Sequence, residues 1–188
     1  MRKEFSSSTS VLAAAAFFIL AAGALRLALI DIPNIAPVTA MALFAGTYLR
    51  NKKIAFILPL SVMLITDLLL EAAYQLGWRA YSGFYPAMPY VYLSFFLVVF
   101  IGILLQSRLK LVNVFAAGLA SSVVFFLVSN FGVWISGGYP ATVEGLITCY
   151  TAAIPFFRYT LVGDLFFIGV FFGTFELVKS RLTTSASA

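Results

Sequence analysis

The chain reads as an all-α integral membrane protein: six transmembrane helices, a short second span, and a surface or re-entrant helix before the sixth. Three observations predict it. Hydrophobic residues make up 62% of the 188 residues, charged residues only 10%, and the mean hydropathy is +1.03. Soluble domains are about half apolar and about a quarter charged, so this composition belongs to a membrane protein. The apolar residues fall into separate blocks divided by short polar turns, and the unusual polar residues gather toward one end of those blocks.

A helical span needs about 20 apolar residues. The first block covers residues 11–30, and the second, residues 37–49, is short. Between them Asp31-Ile32-Pro33-Asn34-Ile35-Ala36-Pro37 breaks any helix, because proline removes a donor and restrains the residue before it. The third covers residues 54–73, the fourth 89–105, the fifth 111–135 and the sixth 159–178. Residues 137–157 are apolar but punctuated by Gly and Pro, and their middle, 142–153, reads as a short helix at or dipping into the surface. No linker or composition shift divides the chain, so residues 1–188 form a single transmembrane domain, with 1–10 and 183–188 expected to be disordered.

An even number of spans puts both termini on one side. With the N-terminus inside, Arg2, Lys3, Arg50, Lys52, Lys53, Arg108, Lys110, Lys179 and Arg181 are cytoplasmic, and only Arg26, Arg79 and Arg158 lie toward the outer side. This is the positive-inside bias of a multi-pass protein of the bacterial inner (cytoplasmic) membrane, and it explains the net charge of +5 without any nucleic-acid partner. Met1-Arg2-Lys3, the apolar run and Ala22-Gly23-Ala24 also fit a secretory signal with a cleavage site. The run continues to Ile30, which favours a retained span.

Charge within hydrocarbon is costly, so intramembrane carboxylates mark candidate function. Asp67 lies roughly 21 Å along its helix from Lys53, and Asp164 roughly 22 Å from Lys179. The two are expected to reach similar depth and to line one chamber under the outer surface. Asp67, Glu71, Tyr74 and Trp78 share a helix face; Asn130 and Trp134 lie one turn apart, as do Thr160 and Asp164. The candidate solute-binding set is therefore Asp67, Asn130, Asp164, Trp134, Trp78, Asn34, Glu71, Tyr150, Arg158 and Arg26. Carboxylates accept hydrogen bonds or neutralise a cation, Asn130 donates and accepts, and the tryptophans cover an apolar face. Other readings stay open. Each aspartate could pair with an arginine or cap a broken helix, and the aromatics could form an interfacial belt. Cys149, the only cysteine, is either a small buried residue or a thiolate ligand for a soft metal such as corrinoid cobalt. With no histidine, a zinc site or a Ser/His triad is not expected, and no cofactor is called for beyond a corrinoid as ligand.

Several stretches carry a resemblance: Pro33-Asn34-Ile35-Ala36-Pro37-Val38, Leu64-Ile65-Thr66-Asp67, Ser129-Asn130-Phe131-Gly132-Val133-Trp134 and Thr160-Leu161-Val162-Gly163-Asp164. Together they resemble a functionally uncharacterised family of small bacterial membrane proteins labelled as transport proteins. The size and span layout are also similar to the substrate-binding S components of energy-coupling-factor (ECF) vitamin transporters. That likeness implies a vitamin-like solute held near the extracellular face and taken up with a scaffold subunit and ATPases, and Ala24 and Ala28 are similar to the alanine motif that meets the scaffold. No Gly-x-x-x-x-Gly-Lys-Ser/Thr loop is present, so energy would come from a partner or from a gradient. The expected function is solute binding and uptake in the lipid bilayer. A proton- or ion-coupled carrier or channel, and an intramembrane enzyme using the two carboxylates as acid and base, are the alternatives.

Overall fold

A computed structural model describes residues 9–32 and 37–185, and the side chains of most of them. Six α-helices follow in order: α1 Thr9–Ala28, α2 Val38–Tyr48, α3 Lys52–Gln75, α4 Met88–Leu105, α5 Leu111–Val133 and α6 Val143–Ser185. No strand occurs among the described residues. All but α2 are long and apolar enough to cross a bilayer, so the protein is a multi-pass membrane protein. The turns holding Arg50, Lys52, Lys53, Arg108 and Lys110 mark a basic end of the bundle, and those holding Trp78, Tyr81, Tyr85 and Tyr139 an aromatic end.

Helix α2 is the structural centre. At 11 residues it is about 16 Å long, half of a hydrocarbon core of about 30 Å. Every residue from Val38 to Thr47 is buried, and α2 packs on each of the other five helices. It ends at the basic end, where Asn51 caps α3 by accepting from the Lys53 and Ile54 amides at 3.0 and 3.3 Å. Its first turn therefore lies about halfway through the bundle. In lipid, helices associate by close packing of small residues rather than by exclusion of water. Gly46 of α2 and Gly102 of α4 supply that contact: a Cβ on Gly46 would strike the Val99 carbonyl, and one on Gly102 the Leu43 carbonyl. Toward the basic end Phe44 is ringed by Phe18, Phe171, Phe172 and Phe175, with the Phe175 centroid 4.9 Å away and edge-on. The basic half of the bundle thus contains an aromatic cluster around Phe44, and the buried carboxylates Asp67 and Asp164 lie outside it.

The stretch before the sixth span departs from expectation. No short surface helix precedes a separate span; α6 runs unbroken for 43 residues, through Pro155. Proline removes one donor from a helix and does not by itself end it. Here α6 docks on α5 at Cys149, Tyr150 and Phe157, which hold it on both sides of Pro155. By helix rise α6 is about 65 Å long, so one crossing uses only half of it. Its partner α5 extends through a wide π turn, Trp134–Gly138, closed by Gly137 at φ +89°, a conformation that favours glycine. Helix also takes in Thr9, Ser10 and residues 183–185, which were expected to be unordered; residues 1–8 and 186–188 lie outside the described residues.

Candidate functional site

Two buried carboxylates and one cavity make up the polar half. Asp67 stands on α3 eight residues before its end, about 12 Å below the aromatic end. It is 2% exposed and pairs with the Arg26 guanidinium from α1, which also donates to the Thr66 hydroxyl. Its second oxygen accepts from the Tyr92 hydroxyl of α4 at 2.6 Å. One ion pair and one phenol therefore tie three helices together. Such a pair persists away from water because the charges cancel and the remaining lone pairs are satisfied.

Asp164, also 2% exposed, faces the middle of the bundle from α6. The Ser122 hydroxyl of α5 donates to it at 2.7 Å, and the Thr39 hydroxyl in the first turn of α2 lies against it. A half-length helix that starts inside a membrane presents free amides and the positive end of its dipole there. The Asp164 carboxyl meets that turn through the Thr39 side chain. Asp67 and Asp164 have separate hydrogen-bond partners among the described residues, and neither lines either of the two cavities described below.

The other candidates divide between scaffold and surface. Glu71 accepts from Gln75 Nε2 at 2.6 Å, from the Ser82 hydroxyl and from the Gly83 amide at 3.1 Å, and so pins the α3–α4 loop back onto α3. Along the shared face exposure rises from buried Asp67 to Trp78, which is 78% exposed. Trp134 donates from its indole to the Pro140 carbonyl at 2.9 Å and closes the α5–α6 connection. Arg158 is turned onto its neighbour, with Nη2 2.8 Å from the Tyr159 hydroxyl and the guanidinium 4.7 Å from that ring's centre. Asn34 lies outside the described residues.

Asn130, Tyr150 and Cys149 come together. Tyr150 donates to the Leu127 carbonyl at 2.6 Å, and buried Cys149 directs its thiol at the Asn130 carbonyl, with Sγ 3.4 Å away. No group of three or more His, Cys, Asp or Glu is gathered among the described residues. Beside these contacts a cavity of about 280 Å³ opens between α5 and α6. Asn130, Ser129 and Thr160 line it with the rings of Phe125, Phe126, Phe156 and Phe157. Sequence reading found Asn130 and noted Thr160, but missed the phenylalanines. Nothing distinguishes four lining rings among 20 Phe until α6 is known to run unbroken past α5. Tyr92, Ser122 and Thr39 were missed for a similar reason, since each is meaningful only through its partner on another helix.

A larger cavity, about 650 Å³, lies at the basic end between α5 and α6. Several of its polar groups are engaged with one another or with backbone, and Ser107 and Lys110 also line it. Glu176 holds Lys179 at 3.0 Å and accepts from the Tyr48 hydroxyl at 2.8 Å, while Gln106 donates to the Gly46 carbonyl at 2.8 Å. That leaves a mostly apolar wall at the boundary of the bundle. The smaller cavity, with an amide and two hydroxyls converging among aromatic rings, has the composition of a small-molecule site.

No curated protein and no solved structure matches the chain. A family of unknown function, DUF6580, matches residues 6–186, nearly the whole length. The chain belongs to this family of unknown function, DUF6580.

Proposed function

We propose that the protein is a membrane-embedded binding and uptake component for a small solute, and that the solute sits in the cavity of Asn130, Thr160, Phe126 and Phe157. That cavity is the observation that carries the reading. It lies in the aromatic-end half of a membrane bundle, between the two helices that flank Asp164, and it combines ring faces with polar side chains. The carboxylates then hold the walls: Asp67 ties α1 to α3 and α4, and Asp164 ties α6 to α5 and the start of α2.

The positive-inside bias supports a bacterial cytoplasmic membrane, both termini inside and the cavity toward the exterior. A short central helix among long ones also supports the architectural likeness to ECF S components. Ala24 and Ala28 are exposed on α1, where a scaffold subunit working with ATPases would find a smooth helix face. Native mass spectrometry of gently extracted protein tests this reading. A small solute retained on wild type and lost from Asn130→Leu is the expected result. Wild type that carries lipid alone overturns it.

A further inference from the structure

The chemistry of the cavity wall narrows the class of solute, an inference that rests on the uptake reading. Three polar side chains line the cavity, and each already donates to its own helix. Ser129 Oγ donates to the Phe125 carbonyl at 2.6 Å, Asn130 Nδ2 to the Phe126 carbonyl at 2.8 Å, and Thr160 Oγ1 to the Phe156 carbonyl at 3.5 Å. A hydroxyl has one proton, so the Ser129 hydroxyl, bonded at 2.6 Å, offers only lone pairs, while Thr160, held by a longer contact, both accepts and donates, and the Asn130 Oδ1 adds a third acceptor. The second Asn130 N–H is the other donor that remains.

The rings point the same way. Phe126 and Phe157 stand 4.6 Å apart at 41°, and the faces of aromatic rings are electron-rich. Among the described residues neither a basic nor an acidic side chain lines the cavity. Arg158 follows Phe157 directly, yet its guanidinium is engaged with Tyr159. An anion here would meet lone pairs and ring faces with no cation to balance it. A cation with N–H donors would meet acceptors and π faces together. The volume, about 280 Å³, is at the small end for ligand sites and suits a molecule of one or two rings.

We infer that the cavity takes a small planar organic cation carrying N–H donors, of the aromatic amine or amidinium class. Two probes of almost the same shape and opposite charge test it: benzamidinium and benzoate, by saturation-transfer NMR on the purified full-length protein in a neutral detergent. Benzamidinium is expected to bind about tenfold or more tightly than benzoate, and Asn130→Leu to weaken it by about tenfold. Thr160→Val, nearly the same shape without the lone pairs, is a second variant expected to weaken benzamidinium should Asn130→Leu misfold. Gly173→Leu, at the other cavity, is expected to leave binding unchanged. Benzoate binding as tightly as benzamidinium, or benzamidinium indifferent to both cavity variants, overturns the proposal. An anionic solute on the natively extracted protein also overturns it while the uptake reading stands. No retained solute and no binding of either probe overturns both.

Discussion

Arg26 and Asp67 form an ion pair across α1 and α3, with side chains 14% and 3% exposed. Replacing Asp67 by Asn leaves the guanidinium without its partner, and breaking a buried pair in this way costs about 3–5 kcal/mol. Asp67→Asn is therefore expected to lower the unfolding midpoint in detergent sharply, and Arg26→Gln in the same chain to recover part of the loss. A double-mutant cycle checks it; additive single effects would show that the ion pair carries no coupling. This pair also shows where sequence reading stops. The sequence marks each residue as an unusual charge in an apolar run, but the two are 41 positions apart on separate helices. The weighing of Asp67 against an arginine partner was open on sequence alone, and the geometry supplies Arg26. Asp164 resembles it: Ser122 is one serine in an apolar helix until the packing of α5 on α6 places it opposite the carboxylate.

At the level of elements, the tightest joint is α2 on α4, where Gly46 and Gly102 bring two backbones together. A methyl group at either position meets a carbonyl of the opposite helix, a contact that no side-chain rotation relieves. Gly102→Ala is expected to destabilise the bundle by about 1–3 kcal/mol, the usual cost of overpacking. Gly173→Ala serves as the control, since a Cβ there meets nothing within 4 Å. Thermal unfolding of the three proteins side by side would show it, and equal midpoints would refute the backbone-contact argument. Helices were legible where composition alone decides them, as in the fourth block, expected at 89–105 and found at Met88–Leu105. The shortness of α2 was legible too, because the charges of Arg50 to Lys53 and the prolines at 33 and 37 confine it. The unbroken α6 was not. Pro155 carries a local signal for a break, and what overrides it is tertiary packing on α5, which local sequence does not encode.

For the molecule as a whole, orientation is the property that charge predicts and accessibility measures. With Cys149 replaced by Ser, single cysteines report the side on which each turn lies. A cysteine at Tyr81, itself 78% exposed, is expected to react with an impermeant maleimide in intact cells. One at Arg108 is expected to react only after permeabilisation. The reverse pattern would invert the bundle and place the Asn130 cavity on the cytoplasmic side. The same polarity separates the two halves of the interior. A phenylalanine cluster around Phe44 lies in the basic-end half beside the larger cavity, and the Arg26–Asp67 pair and the smaller cavity lie in the other.

The half-length of α2 has a consequence for how the protein is made. Eleven residues fall well short of the roughly twenty that stabilise a span in lipid, so this segment gains little from the bilayer when it leaves the ribosome. Four of the walls that enclose it, α3, α4, α5 and α6, are translated afterwards. Insertion therefore cannot finish helix by helix from the N-terminus: the centre of the bundle settles last, once its surroundings have been synthesised.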